Sequence, residues 1–304
     1  MRCQERKDKK EAEMPLIVRE TKEKTMKDRR KLASFIKYMV ITVILVAIGI
    51  FGLSINVGQS IQAQTIQRFV LGAIMLIALY VLSGKEALTW KKKSTRYMLL
   101  LSAYQLLFSL LTAISTYMDG PKVVKSDWLF VLLSNLALAF CVGLYEEGFM
   151  RGIFLNGLIK ILPNTKAGLW MAVIISSFLF GFIHVIWDIP YILINPLSVI
   201  IQMAAKTIVT GASGMLFAAL YLKTKNIWTC VIVHAIYDFF LFLQEAFSRL
   251  GSTTPSAQYV HVHMEMTPEQ IIFYLLMILR VLPNIIIAIL VIRKLNPKEY
   301  VFWK

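Results

Sequence analysis

Long apolar runs separated by short basic segments are the feature that most restricts how this chain can fold. Eight runs approach or exceed the roughly 20 residues with which a helix crosses a hydrocarbon core of about 30 Å. Only helices and closed barrels satisfy their backbone hydrogen bonds within lipid. We therefore predict an all-α polytopic membrane protein with about eight transmembrane helices. The runs are 35–58, 69–84, 97–118, 128–162, 168–187, 197–222, 227–247 and 271–292.

The distribution of basic residues predicts the orientation of these spans. The 304 residues include 33 Lys and Arg against 18 Asp and Glu, which gives a formal net charge of +15. In a soluble protein this charge would favour a nucleic-acid partner. Here, with the N-terminus inside, the inner segments carry 25 Lys and Arg and the outer connectors carry 3. The asymmetry predicts an integral membrane protein with both termini in the cytoplasm, a lipid bilayer as its partner and no nucleic acid. A Lys- and Ile-rich composition favours a bacterial cytoplasmic membrane.

Ionisable residues are concentrated in three of the apolar runs. Each costs on the order of 2.5–3.5 kcal/mol at the centre of a bilayer, so each is a candidate for function. A single such residue is more often a packing or helix-bridging group, but six on three helices favour a site. They are Glu146, Glu147 and Arg151 in the fourth run, His184 in the fifth, and His234 and Asp238 in the seventh.

Helical spacing gives these residues provisional roles. Glu147 and Arg151 are four residues apart, so they share a face and can form an ion pair. Glu146 is turned about 100° from its neighbour and is the carboxylate left available. In an apolar bundle such a carboxylate can take a proton from water, which is the work of a general base. His234 and Asp238 are also four apart and share a face.

These residues allow more than one chemistry. A water held between Glu146 and His184 could attack an amide carbonyl while His234 and Asp238 stabilise the oxyanion. Alternatively, Glu146, His184 and His234 could bind zinc, with Asp238 as a fourth or outer ligand. Proton-coupled transporters also gather Glu, His and Asp at the membrane midplane, so a transporter remains an alternative.

Three motifs on successive hydrophobic segments resemble the CAAX protease and bacteriocin-processing family, also called CPBP or Abi. The motifs are Glu-Glu-x-x-x-Arg, Phe-x-x-x-His and His-x-x-x-Asp, in this order, and the resemblance covers roughly residues 127–245. Each motif alone is weak, but together at these spacings they are specific. Their residues are Glu146, Glu147, Arg151, Phe180, His184, His234 and Asp238.

The resemblance implies an eight-helix intramembrane endopeptidase similar to type II CAAX prenyl proteases. Glu146 and His184 would activate water, and His234 with residue 238 would hold the oxyanion. Many members have Asn at position 238, where this chain has Asp. An ionised Asp cannot donate a hydrogen bond. Asp238 must therefore be protonated, bind metal or orient His234, and we favour orientation or metal.

Substrate and cofactor stay open at this point. Glu147, Arg151 and Phe180 would support the site in such a family member. The implied substrate is a hydrophobic or membrane-anchored peptide, for which prenylated tails, bacteriocin leaders and membrane-bound regulators are all compatible. Members are often called metalloproteases, whereas the eukaryotic type resembles a glutamate-dependent enzyme, so a zinc ion is an option. A bacteriocin-immunity protein without catalysis is a further alternative.

The sequence divides into four regions on this interpretation. Residues 1–34 hold 12 Lys and Arg with 7 Asp and Glu and predict a solvated cytoplasmic tail, partly helical or disordered. Residues 35–126 contain the first three helices, and residues 127–245 form the expected protease core. Residues 246–304 contain an outer loop, the eighth helix and a short cytoplasmic tail.

A rival serine-protease motif is weaker. Residues Gly211 to Gly214 match the Gly-x-Ser-Gly string of rhomboid proteases. Small residues at this spacing usually let membrane helices approach closely, so we predict packing. No His-Glu-x-x-His string occurs in the sequence, which argues against a zincin.

Four other polar residues are expected to have surface or packing roles. His261 and His263 lie in a polar outer loop and are expected at the surface. Lys206 and Arg280 lie inside spans. We expect Lys206 to reach toward water and Arg280 to pair within the bundle with a partner that the sequence does not identify.

Straight helices would keep the two principal candidates apart. Glu146 would lie about 28 Å from the outer side and His184 about 24 Å from the inner side. We therefore predict that the fourth helix begins later or bends, and continues past Arg151 to about Leu162. Glycines that make bending plausible are Gly148, Gly152 and Gly157.

Overall fold

The predicted all-α architecture is confirmed. A computed structural model describes residues 16–55, 60–119, 128–248 and 267–300, and within these ranges the chain is helical with no β-strand. The predicted surface histidines, His261 and His263, lie outside the described residues, as do the first 15 residues of the charged tail.

Nine α-helices and one π-helix form the described part of the chain. The π-helix, Gly148–Leu155, directly joins α4 to α5, so that these three elements make one continuous helix. The α-helices are α1 Leu16–Ser54, α2 Ile61–Ser83, α3 Lys92–Asp119, α4 Trp128–Glu147, α5 Asn156–Ile161, α6 Lys166–Ile183, α7 Pro196–Thr224, α8 Ile227–Ser248 and α9 Pro268–Lys294. Short 3-10 helices occupy Lys85–Leu88, Ile186–Leu193 and Pro297–Tyr300.

Seven helices in these ranges are long and apolar enough to cross a membrane. They correspond to α1, α2, α3, the continuous α4–π–α5 helix, α6, α7 and α9. The remaining predicted span, the seventh (227–247), falls on α8, whose apolar part, Ile227–Leu241, is shorter. α1 begins before the first predicted span, so the end of the charged tail is helical.

α7 is the central helix of the bundle. Its residues from Leu216 to Leu222 are buried on every side, as expected for a helix that other helices surround. α7 packs against α6 and α9, while α4 packs against α2 and α8. The polar side chains of α4, α6 and α8 therefore converge beside α7.

The connectors that are rich in Lys and Arg gather at one end of the bundle. Lys166 at the start of α6 donates to the carbonyl of Arg293 at the end of α9, at 2.7 Å. Trp228 at the start of α8 donates to the carbonyl of Leu88, at 2.8 Å. These contacts place together segments that the charge pattern assigned to a common side of the membrane.

Candidate active site

The fourth predicted span changes helix type next to the two glutamates. α4 ends at Glu147, and the π-helix then includes Arg151 before α5 carries the chain to Ile161. The prediction that this helix continues past Arg151 is confirmed. A π-helix bonds each N–H to the carbonyl five residues earlier, one more than in an α-helix, and such segments occur frequently at functional sites. The side chains beyond Glu147 are therefore shifted relative to an α-helix.

The glycines of this segment serve close packing against α2. A Cβ added at Gly148 would lie 3.0 Å from the side chain of Met75, and one at Gly152 would lie 3.1 Å from that of Leu79. The change in register comes from the π-helix. Gly148 and Gly152 therefore have a packing role, and the prediction that the glycines here help the helix to bend stays a prediction.

Glu146 and His184 meet, although straight helices would separate them. Glu146 Oε2 lies 3.4 Å from His184 Nε2. His184 caps the C-terminus of α6, which is only 18 residues long. Glu146 Oε2 is buried, and within the described residues it is approached by the Nε2 atoms of His184 and His234.

The backbone of α6 fixes the ring of His184. Its Nδ1 lies 2.7 Å from the carbonyl oxygen of Phe180. Because a carbonyl only accepts, Nδ1 carries the hydrogen, and Nε2 is directed at Glu146. The ring of Phe180 also contacts the imidazole edge-on, with centroids 4.7 Å apart. Phe180 thus holds His184 through both its backbone and its side chain.

The predicted pair between Glu147 and Arg151 is present. Arg151 Nε lies 3.2 Å from Glu147 Oε2, and neither side chain has any exposed surface. Arg151 Nη2 donates to the carbonyl of Gly214 on α7, at 2.9 Å. The guanidinium carbon lies 4.4 Å from the ring centroid of Phe180 and 5.4 Å from that of Phe217. Arg151 therefore ties the π-helix to α6 and α7.

His234 is held between carboxylates from two helices. Its Nδ1 lies 2.8 Å from Glu147 Oε1, while its Nε2 lies 3.3 Å from Asp238 Oδ2 and 3.9 Å from Glu146 Oε2. Its ring is stacked on Phe217, with centroids 5.2 Å apart. We refer to Glu146, Glu147, Arg151, His184, His234 and Asp238 as the polar cluster.

Asp238 and Glu147 occupy opposite sides of the His234 ring. Orientation of the ring from behind, which we favoured for Asp238, is provided at Nδ1 by Glu147. Asp238 instead lies on the Nε2 side, the side that faces Glu146. Gly143 permits this arrangement, because a Cβ there would lie 3.0 Å from the Val231 carbonyl oxygen of α8.

Two residues near the cluster have no distinctive sequence signal. Phe217 stacks on His234 but is one of many apolar residues in α7. Arg68 on α2 lies close enough to Glu146 to interact with its charge. In the sequence Arg68 stands directly before the second apolar run, and nothing connects it with a carboxylate 78 positions later.

The polar cluster as placed does not fit the zinc site considered above. Among the described residues, no group of three or more His, Cys, Asp or Glu side chains is arranged to hold a metal ion. The Nε2 atoms of His184 and His234 both approach one oxygen of Glu146. We therefore derive no chemical step through a metal.

Two further cations inside spans, Lys206 and Arg280, have partners. Lys206 Nζ lies 3.6 Å from Asp188 Oδ2, whose side chain is fully buried, so Lys206 contacts protein rather than only reaching toward water. Arg280 pairs within the bundle as expected: Arg280 Nη2 donates to the Tyr237 hydroxyl at 3.4 Å, and its guanidinium lies 4.5 Å from the Phe108 ring centroid.

The Gly-x-Ser-Gly string lies at helix contacts, in agreement with a packing role. A Cβ at Gly211 would lie 3.1 Å from the Ser177 carbonyl oxygen of α6, and one at Gly214 would lie 2.9 Å from the Phe180 ring. The Gly214 carbonyl also accepts from Arg151. These contacts explain the glycines without a serine nucleophile.

We expect Ser213→Ala to leave peptide hydrolysis unchanged. The substitution removes one hydroxyl and preserves the helix, so turnover should stay within about twofold of wild type, as is usual for a change away from the chemistry. Initial rates of the two purified proteins on the same peptide test this. A loss of activity as large as that caused by removing a nucleophile would restore the rhomboid interpretation.

Comparison with known proteins agrees with the motifs. The long apolar helices and the charged cluster between them define an integral membrane protein with a polar site in its interior. Residues 127–240 match the protein-family model described as Rce1-like: Type II CAAX prenyl endopeptidase Rce1-like. The resemblance drawn from the motifs is thereby confirmed, and the family implies a protease. No curated protein and no solved structure gives a significant match to the chain.

Proposed function

We propose that this protein is an intramembrane endopeptidase in which Glu146 is the general base. The observation that carries the proposal is the buried Oε2 atom of Glu146, which lies 3.4 Å from His184 Nε2 inside an apolar bundle. A substrate that reaches this site is a hydrophobic or membrane-anchored peptide, because the surrounding helices present apolar surfaces to the bilayer.

The charge balance of the polar cluster supports different protonation states for the two histidines. Glu146, Glu147 and Asp238 supply three negative charges, and Arg151 and the nearby Arg68 supply two positive ones. One protonated histidine therefore makes the group neutral, which a low dielectric favours. His234 is the better carrier of that proton because carboxylates approach both of its nitrogens.

The first chemical step uses the opening between Glu146 and His184. Their facing Oε2 and Nε2 atoms are both acceptors when His184 is neutral, so one water can donate a hydrogen to each. As the water oxygen bonds to the substrate carbonyl carbon, its proton passes to Glu146 and the carbonyl electron pair moves onto oxygen. Phe180 keeps His184 Nε2 directed at the water through the bond at Nδ1.

The second step uses His234. Its Nε2–H donates to the oxyanion, while Glu147 holds the opposite side of the ring. Collapse of the tetrahedral intermediate breaks the C–N bond, and the amine leaves with the proton that Glu146 received. Glu147 and Arg151 do not touch the substrate in this scheme, and they act by holding His234 and the π-helix in place.

We further propose the bacterial cytoplasmic membrane as the location, with both termini in the cytoplasm. The observation in support is that connectors rich in Lys and Arg lie at one end of the bundle. This is the pattern of cytoplasmic loops.

The assay that tests the function uses the full chain in lipid nanodiscs. A hydrophobic peptide with a fluorophore and quencher on either side of the cleavable bonds reports hydrolysis, and mass spectrometry identifies the products. Cleavage with incorporation of one solvent oxygen is expected. If the wild-type protein binds the peptide tightly but forms no products, the result would instead support a transporter or an immunity protein. Persistence of cleavage in excess chelator is expected, while loss that zinc restores would support a metal site.

We expect Asp238→Asn to retain activity within about threefold, since an amide can donate to the oxyanion beside His234 while an ionised carboxylate cannot. Asp238→Leu removes the polar partner of His234 Nε2, and His234 is the proposed oxyanion donor, so it should cost about 10²–10³ in kcat, as loss of an oxyanion donor does. The comparison is made on purified variants with equal thermal stability. A loss of activity in Asp238→Asn as large as that in Asp238→Leu would contradict donation and favour metal binding.

A further inference from the structure

A second polar group lies inside the bundle and takes no part in the proposed chemistry. It consists of Gln105 on α3, Tyr237 on α8, and Arg280 and Asn284 on α9, and we call it the α3–α9 node. Three helices meet here, and α3 is distant in sequence from α8 and α9. The sequence identified only Arg280, as a cation in need of a partner.

The amides of the node satisfy only half of their hydrogen-bonding groups. Asn284 Nδ2 donates to Gln105 Oε1 at 3.3 Å. Gln105 Nε2 and Asn284 Oδ1 have no partner among the described protein atoms, although each side chain is only 3% exposed. One donor and one acceptor are thus left side by side in the interior of a membrane protein.

A small cavity adjoins these two atoms. Its volume is about 10 Å³, and the side chains of all four node residues line it. Arg280 also places N–H donors here, because its Nη2 bonds to the Tyr237 hydroxyl at 3.4 Å. The cavity therefore combines polar walls with the size of one solvent molecule.

We propose that the α3–α9 node binds a single internal water molecule. A buried water needs roughly 10–15 Å³ of such space and two to four polar partners, and the node provides both. Water is also the ligand that can accept from Gln105 Nε2 and donate to Asn284 Oδ1 at once. A carboxylate or phosphate group exceeds the space, and the charge of Arg280 opposes a cation.

This water joins helices rather than reacting. It bridges α3 and α9 inside the bundle, where lipid offers no hydrogen bonds, so an unpaired amide there would be destabilising. Tyr237, which bonds to Arg280, directly precedes Asp238 of the polar cluster. The inference is independent of the proposed protease function.

A high-resolution structure of the full chain in lipid tests the proposal. We expect one density peak within hydrogen-bond distance of Gln105 Nε2 and Asn284 Oδ1, and its loss in the double variant Gln105→Leu/Asn284→Leu. Wild-type density with no peak, or with the two amides turned to satisfy each other, would overturn the proposal. A peak that shows the anomalous signal of bromide after a halide exchange would also overturn it, since the ligand would be an anion.

Hydroxyl-radical footprinting by synchrotron radiolysis gives a second readout that needs no variant to crystallise. Radicals formed from an internal water label the nearest side chains, so the half-buried Tyr237 and Phe108 should be oxidised in wild type. Labelling should fall to background in the double variant, while an exposed tryptophan in the connector before α3, Trp90, keeps its signal. Background labelling of the node in folded wild type would contradict a bound water.

Discussion

Glu146→Gln is expected to lower kcat for peptide hydrolysis by about 10²–10⁴-fold, which is the range for loss of a general base. Glutamine preserves the size of the side chain and can still contact His184, but its amide cannot take the proton of the attacking water. Because the rest of the polar cluster stays in place, KM should change little. The split between kcat and KM distinguishes a chemical role from a role in binding.

The matched control is Glu86→Gln, which makes the same change at an exposed glutamate in the connector after α2. Steady-state rates of wild type and both variants are compared in the same nanodiscs after thermal unfolding has shown equal stability. Undiminished turnover by Glu146→Gln would contradict the proposed mechanism. A loss confined to KM would leave Glu146 as a binding residue.

Arg151→Met is expected to cost about 3–5 kcal/mol of folding stability, because it leaves the fully buried Glu147 without its cation. The variant also lacks the hydrogen bond from Arg151 to the Gly214 carbonyl and the contacts of Arg151 with two phenylalanine rings. Reversible unfolding in a denaturing detergent measures the change. Activity should fall with stability, because Glu147 positions His234.

A double variant separates the ion pair from general damage to the core. Glu147→Gln/Arg151→Met removes both charges, and the glutamine oxygen can still accept from His234 Nδ1. We expect it to recover part of the stability that Arg151→Met loses. Lys92→Met, at an exposed lysine at the start of α3, is the control and should cost less than about 0.5 kcal/mol. Equal losses in the single and double variants would show that the buried charge is not what destabilises the protein.

The sequence predicts the helices of this protein better than it predicts their contacts. Apolar runs of sufficient length define membrane helices, and spacing by four predicts the pair of Glu147 with Arg151. Leucines do not reveal which face of a helix is inside, because lipid is as apolar as the core. Leu220 is fully buried and Leu193 is 91% exposed, yet the two are the same residue type.

Apart from Glu146 with His184, the pairs that polar residues form between different helices could not be predicted from the sequence, for the same reason. Glu147 and His234 are 87 residues apart, and their hydrogen bond depends on how α4 and α8 are rotated. The motifs named both residues, but the sequence suggested Asp238, as one of two favoured roles, and not Glu147 as the residue that orients His234. The partner of Arg280 is a tyrosine hydroxyl, which carries no charge that a pattern of opposite signs would reveal.

The eight-residue π-helix makes chain length a determinant of the site. Deleting one residue from Gly148–Leu155 would favour an α-helix there and rotate the flanking side chains by about 100° relative to each other. Glu146 and Arg151 could then no longer both keep their present contacts, although every motif residue would still be present. Spacing in this segment is therefore as much a signature of the site as the identity of its acids and bases, and a related chain with a gap here would keep the letters of the motif but not its geometry.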